Sequence, residues 1–510
     1  MKKIFYNAHL VDCNIETDGA VLILDDKIFA VVQGNFSDAD DARTLVNLFG
    51  QTESCKNVGT KKQASSSDSK ERATAPSCDG YATENCATES CDGCASSCEI
   101  QFVNCRGKTL MPSFIDMHVH FRYPGQTQKE DLTSGLNAAV AGGFGCVVCM
   151  PNTNPVVSSS ELAHSIENEA IEQEKARVIQ SVSLTKDFDG KTTSHIDDLE
   201  GIILMTEDGH DVQNSLVMLD AMSKASVKGA IVSCHCEDPS LAGAAKPYRQ
   251  RALSFMSQYG IPAGKVNVSV PNVPDAVNFE IDGNLTKANS LLALAEDTAT
   301  IRNIEIAKNA GCHVHICHCS TKASMDAIRR TKKEIALGNT NEGFACTVEV
   351  TPHHIGLVGT DAPNIRALVN PPLRSEDDRR ALIEALRDGT VDCIATDHAP
   401  HTQEDKAAGS PGFTGLETAF AVCNTTLVKK EDFSLKQLSR LMSETPAKLL
   451  HLKAGRLAVD YKADLVLVNP DETWIVNSEV FNSKGKSTPF EEKPLVGKVH
   501  ATFFGGKQVF

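Results

Sequence analysis

The sequence predicts an α/β protein: a (β/α)8 TIM-type barrel with a small flanking β-sandwich built from the N- and C-terminal segments. Three observations carry this. Between about 108 and 450, eight apolar runs alternate with longer amphipathic stretches. Strand, helix, strand at that spacing means a parallel sheet, which eight strands can close. Both chain ends instead read as short alternating strands separated by tight-turn residues, and nearly every one of the eight central runs ends in a His, Asp, Asn or Arg cluster.

Residues 1–48 open with MKKIFYNAHLVDCNIETDGAVLILDDKIFAVV, where apolar and polar residues alternate and DG and DD mark turns. This is a strand pattern rather than a signal peptide. Segment 49–100 is a Cys/Ser-rich, low-complexity insertion with almost no large apolar residues, expected to be disordered because it has too little to bury. Of its cysteines only Cys91 and Cys94 have a zinc-ribbon gap, and no second such pair follows, so no structural metal is expected there. The barrel is assigned to 101–452. Its strand runs are LMPSFIDMHVH, FGCVVCMPNT, ARVIQSVSLT, GIILMTEDG, GAIVSCHCED, CHVHICHCST, CTVEVTPHH and TVDCIATDHAPH, with helices such as TSGLNAAVAGG and SEDDRRALIEALRDG between them. Residues 453–510 return to short strands and form the C-terminal part of the sandwich.

At 510 residues the chain is long enough for a large core and an appended unit. Acidic residues outnumber basic ones by 66 to 50, a formal charge of −16, which argues against a nucleic-acid groove. An anionic substrate must then be drawn in by local cations, such as bound metals and a placed arginine. No apolar run approaches the roughly 18 residues that span a bilayer. Without an export signal, the 18 cysteines are expected to be thiols of a reducing compartment, the cytoplasm.

The run ends carry the chemistry, because barrel enzymes build their sites where the strand ends open. His118 and His120 alternate on a strand, so both imidazoles face the same way and can share a metal. Alone, such a pair is more often surface or satisfied core than ligand. His235 and His318 each cap a later run and supply the separated imidazoles of a second metal. Asp208, in MTEDG, can bridge two cations, although Glu207 competes and a turn-forming Asp-Gly is the bland alternative. Asp397, in TDHAPH, can bind a metal and take a proton from attacking water, with His401 following.

MPSFIDMHVHFRYPGQTQKEDLTSG, GGFGCVVCMPNTNPVV, EVTPHH, NPPLR and TDHAPHTQEDK resemble the type I dihydroorotases of the amidohydrolase superfamily, over about 1–48 and 100–510. The resemblance implies a distorted barrel with two zinc ions, and interconversion of L-dihydroorotate and N-carbamoyl-L-aspartate in pyrimidine synthesis. It assigns His118, His120 and Asp397 to the more enclosed zinc, His235 and His318 to the second, and Asp208 to the bridge. No carboxylated lysine is expected in GIILMTEDG. Arg122, Asn152 and His401 match residues that hold the substrate's free carboxylate, which suits a planar guanidinium. Asn370 matches a residue near the pyrimidine ring.

Four departures stand out: Tyr123 where Glu or Asp is usual, Ser113 for a glycine before the HxH strand, the insertion at 51–99, and a divergent stretch at 264–290 that could alter the pocket rim. The competing readings are a related ring, allantoin or a hydantoin, and a silent homologue serving as structural partner of aspartate transcarbamoylase. The silent form is expected to lose ligands, and all six are present. A small-molecule substrate is expected; a homodimer and an association with aspartate transcarbamoylase are left open.

Overall fold

A computed structural model describes residues 1–49, 100–262, 273–361 and 368–510. All but the two end residues of the Cys/Ser-rich segment, with Cys91 and Cys94, lie outside the described residues.

The N-terminal residues form β1 (Lys2–Val11), β2 (Glu16–Leu24) and β3 (Lys27–Gln33), an antiparallel set. β4 (Ile100–Asn104) and β5 (Thr109–Pro112) then run parallel to β1. Apart from Ile100, both lie within the stretch that the sequence assigned to the barrel, yet they join the terminal sheet. The barrel strands follow: β6 (Phe114–Val119), β7 (Phe144–Cys149), β8 (Arg177–Gln180) continued by β9 (Val182–Ser183), β10 (Leu204–Thr206), β11 (Ile231–Cys234), β12 (His313–Ile316), β13 (Ala345–Val350) and β14 (Cys393–Ile394). Every pairing among them is parallel. The eight strand positions coincide with the eight apolar runs, and β6 and β7 are buried throughout. A parallel strand covered on both sides needs apolar residues at every position rather than at alternate ones. The ring closes where Val119 bridges His398 in parallel and the His120 N–H donates to His398 O at 2.8 Å.

β15 (Leu465–Ile475), β16 (Pro494–Phe504) and β17 (Lys507–Gln508) complete the terminal sheet, with β15 antiparallel to β5. Strand alternation sends Phe5 to one face with Leu10, Val21, Ile23, Leu465 and Phe503, and Ile4 to the other with Leu22, Leu45 and Phe49. Phe5 and Phe503 meet edge-on at 4.8 Å although two strands separate theirs in the sheet. The sheet is therefore folded over a core of its own.

Past β11 the chain forms helices Pro239–Gln258 and Asp275–Ala310, which pack together through Ala252, Met256, Val277, Ile281 and Leu285. The described part of the divergent 264–290 stretch thus begins a 36-residue helix. No helix among the described residues is long and apolar enough to cross a membrane, and every described cysteine is a free thiol.

Ser113 fits without strain. It is buried, its N–H donates to Asp464 O at 2.9 Å, and its side chain occupies the space that a Cβ on Gly145 would need. Tyr123 donates from its hydroxyl to Glu169 at 2.6 Å, tying the segment after β6 to helix Ser160–Glu172. Gly145→Ala should therefore lower stability by about 1–3 kcal/mol through overpacking, and Ser113→Gly in the same chain should restore most of it, as read from urea midpoints.

Candidate metal centre and active site

Each ligand arrives at or just past a strand end. His118 lies in β6 and His120 just beyond it, Asp208 follows β10, His235 follows β11, His318 follows β12 and Asp397 follows β14. Arg122, His318 and Asp397 hold φ of 57°, 30° and 50°. Non-glycine residues rarely adopt this left-handed region, and such strain concentrates where a site demands it.

The six predicted ligands are all buried and brought together. Ligand atoms of His118, His120 and Asp397 lie within 4.8 Å of one another, as do those of His118, Asp208 and His318. His120 Nε2 is 3.2 Å from Asp397 Oδ1, and His118 Nε2 is 3.3 Å from Asp208 Oδ1. His235 Nδ1 lies 3.4 Å from Asp208 Oδ1 and 2.9 Å from His318 Nε2. Burial would raise the Asp397 carboxyl, but the imidazoles of His120, His118 and His318 outweigh it and bring it down to about 2. Asp208 is likewise held well below the usual carboxylate range, against its burial, by His118, His235 and His120.

This donor set fits metal ions. His118 Nε2 and Asp208 Oδ1 are fully enclosed without a hydrogen-bond partner. A buried orphan of this kind is costly unless something else satisfies it. Two imidazole nitrogens at 2.9 Å beside a carboxylate are an arrangement that a cation resolves. His118, His120 and Asp397 can hold one ion and His235 and His318 another, with Asp208 between them.

The surroundings set the tautomers. Glu349, completely buried in β13, lies 2.9 Å from His118 Nδ1 through Oε1 and 3.1 Å from His315 Nε2 through Oε2. An ionised carboxylate only accepts, so His118 carries its proton on Nδ1 and presents a bare Nε2 to the metal side. Asn152 does the same for His120, with Oδ1 3.0 Å from Nδ1, while its Nδ2 donates to Asp208 Oδ2 at 3.0 Å. Asn152, expected at the substrate carboxylate, therefore also braces two ligands. Glu207 does not join the cluster. Its carboxylate accepts from the Thr185 N–H at 2.9 Å and from the Thr185 hydroxyl, and burial pushes it up to about 7.

Beside the ligands, Arg122 donates from Nη2 to His401 Nε2 at 3.1 Å and from Nε to Pro400 O at 3.3 Å. Accepting on Nε2 leaves the His401 proton on Nδ1. Burial, with Arg122 and Lys406 nearby, takes this imidazole down to about 3, so it is neutral. Asn370 stands on a separate loop, where its Oδ1 accepts from Arg249 at 2.6 Å.

Glu349, Arg249 and Lys406 were missed by sequence reasoning. Glu349 had left a signal, as a charge in an otherwise apolar strand run. Arg249 and Lys406 sit among many charged helical residues, and nothing local distinguishes them.

A closed parallel barrel with four imidazoles and two carboxylates gathered at its strand ends defines an amidohydrolase, a metal-dependent class. The profile described as "Amidohydrolase family" matches residues 275–509, and that described as "Dihydro-orotase-like" matches 107–264. A dihydroorotase of Clostridium botulinum is 39% identical over 411 residues, covering 80% of this chain and 89% of the relative. One of Staphylococcus epidermidis is 37% identical over 426 residues, covering 82% and 91%. In fold, the chain resembles the L-hydantoinase (dihydropyrimidinase) of Arthrobacter aurescens, with a TM-score of 0.72 at 20% identity over 99% of this chain and 95% of that one. The chain belongs to the dihydroorotase family.

Glu349→Gln should weaken metal affinity by about 10–100-fold, the usual effect of losing a partner that orients a ligand. Competition with a chromogenic chelator measures this, and an unchanged affinity would show that Glu349 does not orient His118.

Proposed function

We propose that this chain is a dihydroorotase that closes N-carbamoyl-L-aspartate to L-dihydroorotate and reopens it, in pyrimidine synthesis, with two zinc ions bound by His118, His120, Asp208, His235, His318 and Asp397. The observation that carries the reading is the juxtaposition of this six-ligand cluster with the Arg122–His401 pair, a cationic anchor beside a metal centre in an acidic protein.

The metals, when bound, polarise the reacting carbonyl and make water a nucleophile at neutral pH. Asp397, ionised at that pH, takes the proton of the attacking water during ring opening and passes it to the departing ring nitrogen. In ring closure Asp397 accepts a proton from the carbamoyl nitrogen as that nitrogen attacks the side-chain carboxylate, and passes it to the departing oxygen, which leaves as hydroxide and becomes water with one proton from solvent. The other carboxylate is held by Arg122, whose Nη1 has no hydrogen-bond partner among the described residues, by the second amide hydrogen of Asn152 and by the His401 Nδ1–H, which makes no hydrogen bond and stands 3.7 Å from Asp405 Oδ2. Fixing that end turns binding into orientation of the reacting one.

The same reading puts the enzyme in the cytoplasm, where its free thiols stay reduced. It leaves room for a homodimer and for association with aspartate transcarbamoylase, whose product is this substrate.

Asp397→Asn should lower turnover by about 10²–10⁴-fold while metal stays bound, measured by dihydroorotate hydrolysis beside elemental analysis; full activity in that variant would remove Asp397 as the base. Chelation should abolish hydrolysis and zinc should restore it. Dihydroorotate, allantoin and hydantoin assayed side by side should show dihydroorotate turned over far faster, and a preference for either other ring would overturn the substrate.

A further inference from the structure

The loop around Asn370 is held carbonyl by carbonyl. Lys406 Nζ donates to Leu368 O at 3.1 Å, Arg249 Nη2 to Val369 O at 3.3 Å, and His354 Nε2 lies 3.0 Å from Pro371 O. Within 368–371 the Asn370 side chain is then bound by the same Arg249 nitrogen, through Oδ1 at 2.6 Å. A guanidinium has donors only, so the atom facing it must be the amide oxygen. Turning the amide over would set its NH2 group against a cation and forfeit a charge-assisted hydrogen bond. The Asn370 oxygen is therefore spent, and its Nδ2 has no hydrogen-bond partner among the described residues. The loop borders the anchor at His401, because the Gly412 N–H donates to Leu368 O at 2.9 Å and Gly412 packs against the His401 ring, so a substrate group that meets Asn370 must accept.

Arg249 is itself an unusual group. It projects from helix Pro239–Gln258, forms no ion pair among the described residues, and keeps Nε enclosed without a partner. Arg249 is half-buried, and enclosing even part of a guanidinium without a counter-ion is costly, so packing alone is a poor reason to keep one there.

We infer that Arg249 is a positioning residue acting through Asn370: it locks the amide so that the NH2 group donates to the ureido carbonyl oxygen of the substrate. This rests on the dihydroorotase reading. The ureido carbonyl is present in both the open and the closed form, so one locked donor serves both directions. Arg249 would select for a carbamoylated amine over the bare amino acid, independently of the carboxylate anchor at Arg122.

The test is a double-mutant cycle on the zinc-loaded, full-length enzyme with carbamoyl aspartate as substrate. Arg249→Met should raise KM about 10-fold, the scale of one hydrogen bond, with kcat within about threefold of the parent. Asn370→Ala should raise KM similarly, and Arg249→Met added to it should change KM by less than about twofold, because the residues act as one unit. Inhibition by L-aspartate, which lacks the ureido group, should be unaffected. Arg249→Lys, which keeps a donating cation, should lie between wild type and Arg249→Met. Metal content and Tm confirm that each variant is folded. An unchanged KM in Arg249→Met, multiplying effects in the double variant, or an equal loss of aspartate binding would overturn the proposal. A metal-loaded wild type that fails to turn over dihydroorotate would overturn the functional reading and this proposal together, and that failure shows in the parent rather than in the variants.

Discussion

The seam between the first and last barrel strands is the constraint on which the site depends. Where Val119 bridges His398, the HxH pair of β6 comes to lie beside Asp397, some 280 residues later in the chain. The seam is reinforced from outside the barrel. His398 Nδ1 accepts the N–H groups of Gly415 and Leu416 at 3.1 and 3.4 Å, which puts its proton on Nε2, 3.5 Å from Glu130. Glu130 also accepts from Ser134 and from the Ser483 hydroxyl, so the C-terminal segment and the loop after β6 both hold the closure in place. A shift in that register would part His118 and His120 from Asp397 before any of the three residues changed.

Such a concentration of ionisable groups is unfavourable in a folded interior unless each has its partner. Here the carboxylates of Asp208, Asp397 and Glu349 are distributed among imidazoles, and each stays ionised against its burial. Each of those carboxylates also has a distinct geometric role. Glu349 sets the His118 tautomer, Asp208 stands between the two histidine sets, and Asp397 keeps contact with His120. Asn152 couples the second and third of these by touching both Asp208 and His120.

The helix pair after β11 holds the loop around Asn370. Arg374 donates to Asn289 Oδ1 at 2.8 Å and pairs with Glu296 at 3.1 Å, and Asn289 donates to Leu373 O at 3.0 Å. These contacts and Arg249 fasten the loop bearing Asn370 to an element that the family resemblance could not align. Sequence divergence in this stretch therefore falls on the helix that fastens this loop, and leaves the six-residue cluster untouched.

The order of elements and the residues of the candidate cluster were legible in the sequence because both are local. Continuous apolar runs report strands buried on both faces, alternation at the ends reports a sheet, and a polar residue at a run's end reports the mouth of a barrel. The motifs around His118, Asp208 and Asp397 made the chemistry readable for the same reason. Ser113 looked like a source of strain only because its partner, Gly145, lies on the neighbouring strand. Glu207 and Asp208 were equivalent as adjacent acids until the turn after β10 sent one to Thr185 and the other among the imidazoles. Glu349 reaches His118 across 231 positions and Arg249 reaches Asn370 across 121. Periodicity and motif spacing carry information over a few turns of chain, whereas a hydrogen bond between distant side chains exists only once barrel closure and strand register have set their separation. The sequence by itself therefore determined the fold and the class of reaction, and named the six residues that the fold brings together. Tertiary structure alone decided which nitrogen each histidine offers, which acid lies between the two histidine sets, and which way the Asn370 amide turns.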